Sequence, residues 1–429
     1  MIFYYKTKNT FQLRLLLVPV FVAQFMLWLP GNSNGQPATD TLAVVKVDPN
    51  SIPYETDRTV GQHILAFPSY LFHWSTWPVR AGFKYVELEF PELFFPEIPN
   101  SGILPFFELG SKETDIAYGL IAFNNRFFSD QNTIRFIGLF GSESYNSFEL
   151  NFTNSKFLNG EIDVNTNYSN DPIQSLYGGN KSDLDSKKIY AIENLGGSID
   201  YEYTVSPKIT FSLGSSYKRL IIDQGDLDDD DERPISEAME GTTSLLSVGG
   251  SVSFDFTQGK PRIYQGPRFI VNMDWGQSLN NTDVNFLRYS VEYNQFLPVP
   301  VLPKTRRLAF KSQFKKMKSL TSGGIPFFEQ PTLGSNQDLR GFAGNRFRGD
   351  GSLLLTLEYR YPIWDFADIV LFVDKGQVFD DYSDIRISDF HTDYGFGFHL
   401  ISGGGFSFRA EFAFSKETSR AILSVTPNI

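Results

Sequence analysis

The densest collection of reactive side chains in this chain is the run from Asp223 to Glu240, nine carboxylates against Arg233 alone, with Asp228, Asp229, Asp230 and Asp231 consecutive. Oxygen ligands in such number could collect Ca²⁺ or Mg²⁺. The run lacks the spacing of an EF-hand, however, and a block of like charge is the usual composition of a solvated loop. The four histidines, His63, His73, His391 and His399, have no metal-ligand spacing and no neighbouring nucleophile. Cysteine is absent, which removes thiolate nucleophiles, disulfides, Fe–S clusters, cysteine zinc sites and a lipidated N-terminal Cys. No G-x-S-x-G elbow, phosphate-binding loop or H-E-x-x-H helix is present. The expectation is a protein without enzymatic activity, cofactor or metal. With 38 basic and 49 acidic residues, a net charge of -11 and no basic stripe, nucleic acid is not an expected partner either.

The charged groups that remain sit on alternating segments. From about residue 103 onward, apolar and polar residues alternate with a period of two, broken by turn residues. Phe406, Phe408, Ala410, Phe412 and Phe414 share one face, while Ser407, Arg409, Glu411 and Ser415 share the other. Leu353, Leu355, Leu357 and Tyr359 are set in the same way against Thr356, Glu358 and Arg360. A soluble sandwich would alternate too, so length has to decide. Strands are expected near 103–109, 115–125, 132–141, 147–154, 160–169, 187–204, 209–222 and 242–257, then near 267–277, 284–298, 305–319, 351–362, 368–379, 391–401, 405–415 and 421–427. Most exceed the roughly 5 to 6 residues usual in soluble domains and reach the roughly 9 to 11 that a tilted membrane strand needs. Their number is sixteen, and short turns such as Ser206-Pro207-Lys208 alternate with longer polar loops, as in bacterial outer-membrane barrels. With 42 Phe, 20 Tyr and 5 Trp, the chain has the aromatics such a barrel uses. The expected fold is all-β, a sixteen-stranded antiparallel transmembrane barrel over 103–429 with both termini in the periplasm.

Lys6, Lys8 and Arg14 precede an apolar stretch from Leu15 to Leu29 that Pro30 and Gly31 end. This is the plan of a secretory signal peptide, expected over 1–35 with Ser33 and Gly35 as the small residues before the cut. An uncleaved anchor is the alternative, although the stretch is shorter than the roughly 20 residues a spanning helix needs. Residues 36–102 hold eight prolines and an aromatic cluster, Tyr70, Phe72, Trp74 and Trp77. They are expected to form a periplasmic lead-in, its cluster either anchored at headgroup depth or packed against the barrel's periplasmic mouth.

The most informative stretch is the long loop from Thr321 to Asp350, which contains Gly323-Gly324-Ile325-Pro326-Phe327-Phe328-Glu329 and Leu339-Arg340-Gly341-Phe342. After it come Leu357-Glu358-Tyr359-Arg360-Tyr361-Pro362 and Leu371-Phe372-Val373-Asp374-Lys375-Gly376. In this order the three motifs resemble the BamA/TamA outer-membrane barrel family, also called the bacterial surface antigen family, whose sixth extracellular loop carries a V/L-R-G-F/Y motif. The resemblance implies that this loop folds into the lumen and that Arg340, with Gly341 and Phe342, meets acidic groups on inward strand positions. Glu358 and Arg360 would fill the E-x-R position, and Asp374 and Gly376 the F-x-D-x-G position. The residues themselves agree: Glu358 and Arg360 lie on the polar face of their strand, a guanidinium fork suits a carboxylate, and Gly341 lets the backbone turn tightly.

The family resemblance implies insertion, assembly or translocation of outer-membrane proteins in the outer membrane of a Gram-negative bacterium. Expected partners are outer-membrane lipid, substrate outer-membrane proteins and periplasmic assembly factors. The stretch 36–102 does not follow the βααββ order of a POTRA domain, so a short member without POTRA domains is expected. The chain also ends Thr426-Pro427-Asn428-Ile429 instead of on an aromatic residue. The alternative reading is a passive pore or structural barrel.

Overall fold

The computed structural model describes Phe67, residues 74–89 and, from residue 99 onward, all but 110–115, 226–233, 259–264, 281–282, 300–306, 365, 402–405 and 428–429. The signal segment, His63, His73, Tyr70, Phe72 and the centre of the acidic run lie outside the described residues. Among those described, no helix is long and apolar enough to cross a membrane.

The chain enters through a helix, α1 (Trp77–Glu89). The sequence analysis gave no helix here. Pro78 in the first turn is where a helix tolerates proline, and the neighbouring prolines, Pro68 and Pro91, fall outside it. Eleven strands follow: β1 (Ser101–Leu109), β2 (Ile116–Asn124), β3 (Asn132–Gly141), β4 (Asn146–Phe157), β5 (Gly160–Leu176), β6 (Lys188–Ser206), β7 (Ile209–Gln224), β8 (Gly241–Asp255), β9 (Gly266–Ser278), β10 (Asn285–Pro298) and β11 (Arg307–Ser319). Two short strands, β12 (Thr332–Leu333) and β13 (Phe347–Arg348), pair with each other inside the long loop. The chain then completes the wall with β14 (Gly351–Trp364), β15 (Ala367–Phe379), β16 (His391–Ile401), β17 (Phe406–Phe414) and β18 (Ser419–Pro427).

Omitting β12 and β13, the sixteen remaining strands close into an antiparallel barrel in which each pairs with its chain neighbour, β11 pairs with β14, and β18 closes on β1. The alternation seen in sequence follows from this closure. Leu357, Leu371, Val373, Tyr394, Phe396 and Phe412 are exposed on the outer face, where acyl chains replace water. Glu358, Asp374, Asp393 and Glu411, on the other parity of the same strands, are buried.

Strand boundaries agree with the alternation except where it fades. β5 runs to Leu176 and not to 169, because its polar end, Asn170-Asp171-Pro172, carries a register shift between Asp171 and Gln174 that erases the period. The acidic loop also differs in part from a freely solvated one. Ile235 is buried against Tyr190 and Ile222, its backbone N–H bonded to Ile189 O, so the end of the run is pinned to the rim.

Candidate functional site

The loop between β11 and β14 has a folded core of its own. Gly334 (φ +106°) and Asn345 (φ 55°) stand beside the β12–β13 ladder, the Asn345 N–H donating to Gly334 O at 2.8 Å. Asp338 accepts the backbone N–H groups of Gly334 and Leu339 at 2.8 and 2.7 Å. This folding turns Leu333, Leu339, Phe342 and Phe347 to one side, where they pack with Leu354 of β14 and Val378 of β15. Phe347 also stacks on the His391 ring at 3.8 Å. Apolar burial of this kind brings the loop against the inner face of the wall.

Arg340 leaves this apolar platform and reaches the strands. Its Nε donates to Asp374 Oδ2 at 2.7 Å and its Nη2 to Asp374 Oδ1 at 2.9 Å, a two-point fork. Nη1 donates to Glu358 Oε1 at 3.0 Å and to Glu411 Oε1 at 3.2 Å. The guanidinium carbon stands 3.4 Å from the centre of the Phe372 ring, so its flat face is covered as well. Burial alone would lower the Arg340 pKa, but its bonds and proximity to Asp374, then Glu358 and Glu411, more than reverse this and hold it above its ordinary value.

Each carboxylate has further partners, as buried charges require. Thr356 Oγ1 donates to Asp374 Oδ1 at 2.8 Å. Arg360 donates to Glu358 Oε2 through Nε at 3.0 Å and Nη2 at 2.7 Å. Glu411 is met by Arg409 at 2.5 Å and by His399 Nε2 at 2.7 Å. Gly341 donates its backbone N–H to Asp393 Oδ2 at 3.1 Å. A Cβ at Gly341 would stand 2.7 Å from Asp393 Cβ and 3.0 Å from the Phe414 carbonyl carbon, so the approach requires glycine. At Gly376 a Cβ would come within 2.9 Å of Leu333 Cδ1, which is how that glycine admits the platform.

All seven residues singled out from the motifs, Arg340, Gly341, Phe342, Glu358, Arg360, Asp374 and Gly376, thus lie at the junction of the loop with the wall. Sequence reading missed Glu411, Arg409, His399 and Asp393. Arg409 and Glu411 were visible as the polar face of β17, but only the barrel's register brings β17 to Arg340. It also missed three outlying ties. Arg346 binds Glu417 in the β17–β18 turn at 2.8 Å and Ser182 Oγ at 3.0 Å, and Arg420 of β18 donates to Phe342 O. Glu329, its side chain buried, meets Arg288 of β10 at 2.6 Å and Lys218 of β7. Of the described histidines, His391 bonds Asn180 O at 2.7 Å, and no group of His, Asp and Glu among the described residues has the geometry to hold a metal ion.

The barrel is similar in fold to BamA from Haemophilus ducreyi lacking POTRA domains 1–3, with a TM-score of 0.56 at 14% identity, over 77% of this chain and 70% of that one. It is similar also to CdiB from Acinetobacter baumannii (TM-score 0.50, 12% identity, 76% of this chain and 60% of that one). For CdiB from Escherichia coli the values are 0.52, 13%, 76% and 63%. No curated protein matches the sequence at a significant level. The Omp85 superfamily domain matches residues 127–421, from the end of the β2–β3 hairpin into β18. A closed sixteen-stranded barrel with that domain over most of its length is an outer-membrane protein of a Gram-negative bacterium, and the chain belongs to the Omp85 superfamily.

Proposed function

We propose that this barrel serves the insertion, assembly or translocation of outer-membrane proteins, and that Arg340, Gly341, Phe342, Glu358, Arg360, Asp374 and Gly376 form a lock holding the loop in the lumen while the wall elsewhere opens. The observation that carries this reading is the inequality of the barrel's pairings. Among the described residues, β1 and β18 are in register from Phe107↔Val425 to Leu109↔Leu423, and just before this stretch Pro105 and Pro427 each lack a ladder donor. An incoming strand could pair with an edge released there, because an exposed strand edge offers its own row of backbone donors and acceptors. Outer-membrane lipid, the substrate barrel and periplasmic assembly factors are the partners of this role, and it calls for no catalysis.

The rival reading, a passive pore or structural barrel, is disfavoured by the loop's reach. It is tied to β7 and β10 through Glu329, to β5 through Asn345 and Gln174 at 2.7 Å, and to β14, β15 and β17 through Arg340. A strap fixed at so many points of the circumference obstructs a free solute path. A depletion strain tests the two. Falling levels of other outer-membrane barrels support the insertion role, whereas unchanged levels with altered solute permeability would establish the rival.

A further inference from the structure

The outward row of β14 changes character along its length. Leu357 at mid-strand is exposed, as are Leu371 of β15 and Phe396 of β16, as a surface bathed in acyl chains requires. Towards the short turn that leads to β15, on the periplasmic side by the rule of short periplasmic turns, the same row closes. Tyr361 is only 1% exposed and packs with Ile363, Phe366 and Ala367, with Phe398 and Leu400 of β16 laid against them. Protein covers the outer wall there, and α1 packs against β14.

Among the described side chains of α1, Arg80 is buried and the rest are exposed. Thr76 and Arg80, one turn apart and joined by the Arg80 N–H to Thr76 O bond at 3.0 Å, are both buried. Beside Arg80 around the helix, Trp77, Ala81 and Tyr85 recur at the spacing of one helical stripe, with Trp74 just ahead of the helix, and all four are open. Trp74 is 82%, Trp77 65% and Tyr85 62% exposed. Three large aromatics aligned and uncovered form an interaction surface, since a water-facing helix places charged and polar groups in that stripe.

We propose that α1 is an interfacial helix: it lies on the outside of the barrel at the periplasmic end of β14, and its Trp77 and Tyr85, together with Trp74 just ahead of it, sit among the lipid headgroups of the inner leaflet of the outer membrane. The stripe continues a surface that is already lipid-facing. Trp and Tyr have the chemistry of that depth, an apolar ring with one polar atom. Lys84, exposed two turns beyond Trp77 along the helix surface, can extend its ammonium to headgroup phosphates while its stem stays near the apolar surface. The segment ahead of β1 then acts as an anchor against the wall that carries the loop junction, and the lumen is left to the loop.

The absence of cysteine makes this testable with single nitroxide labels. Ala81→Cys on the stripe, Leu371→Cys on the lipid face of β15 and Ile387→Cys in the β15–β16 loop are each labelled in the full barrel chain, reconstituted into vesicles of phosphatidylethanolamine and phosphatidylglycerol. The ratio of collisions with oxygen, which enters the bilayer, to collisions with a water-soluble nickel chelate reports depth. The expected ratio at Ala81 lies between those at Leu371 and Ile387, several-fold above the latter, and falls towards it when Trp74 and Trp77 are both replaced by Ala. A ratio equal to that at Ile387 would place the stripe in water and overturn the proposal. Shielding from both quenchers would overturn it in favour of a protein partner, and a ratio indifferent to loss of the two tryptophans would remove their assigned role.

Discussion

Between β14 and β15 the ladder runs from Gly351↔Phe379 to Trp364↔Ala367, and on its inner face Glu358 and Asp374 are tied to the same guanidinium. Between β18 and β1, among the described residues, it runs from Phe107↔Val425 to Leu109↔Leu423. Both are antiparallel pairs in one closed sheet, so backbone geometry alone does not separate them. The difference lies in ladder length and in the inner face. Each net backbone hydrogen bond contributes about 0.5 to 1.5 kcal/mol, and β14–β15 adds Glu358 and Asp374, both paired with Arg340. Among the described residues cohesion is therefore concentrated in the β14–β15 wall, and the closing seam carries less of it. Arg420 and Glu417 refine the contrast. Through them the loop holds the start of β18 and its turn, so the weakness belongs to the later half of that strand.

The sharpest way to break this comparison is to remove the lock. Arg340 is 4% and Asp374 0% exposed in their side chains, and losing one partner of a buried pair leaves the other charged without compensation, at a cost of about 3 to 5 kcal/mol. Arg340→Ala and Asp374→Ala should each lower the temperature at which the barrel loses its compact gel mobility. The double mutant should cost less than the two singles together, and Arg340→Lys should recover only part, because an ammonium cannot make the two-point contact. Strict additivity would mean that the two residues do not act together.

A smaller loss is expected from Gly341→Ala. The added methyl meets Asp393 and the backbone at Phe414, and overpacking of this kind costs about 1 to 3 kcal/mol. If thermal resistance is unchanged, the loop does not approach the wall as closely as described. Hydrogen exchange then compares the two regions directly: amides of Leu423 to Thr426 should exchange faster than those of Leu353 to Tyr361, since short ladders open locally. Equal protection would count against an opening seam. At the bottom of the scale, deleting Asp226 to Glu232 should shift the melting transition by about 0.5 kcal/mol or less, because loop tips tolerate change. A large shift would show that the acidic run is structural beyond its anchored end at Ile235.

Much of the site was legible in sequence because its parts are local. Leu339-Arg340-Gly341-Phe342 is one short turn, and the parity of Glu358 and Asp374 follows from a period of two. The rest was hidden because it depends on pairings between distant segments. Glu411 is 71 residues from Arg340, and nothing in the alternation of Phe406–Phe414 selects which guanidinium its inner face will meet. Glu329 looked like one more loop carboxylate until β7 and β10 came beside it. α1 escaped notice because the segment was read from its proline density as a periplasmic lead-in with no element assigned, although Pro78 sits where a helix begins.

The sequence by itself determined the barrel: strand number, inward and outward faces, and the side on which short turns lie all follow from side-chain alternation, which each strand carries independently of its neighbours. Tertiary structure alone decided the inequality of the pairings, the convergence of β14, β15 and β17 on Arg340, and the covering of Tyr361. Those depend on register around a closed sheet and on which strand lies beside which, and alternation is blind to both, since a shift of two residues preserves every face while changing every partner.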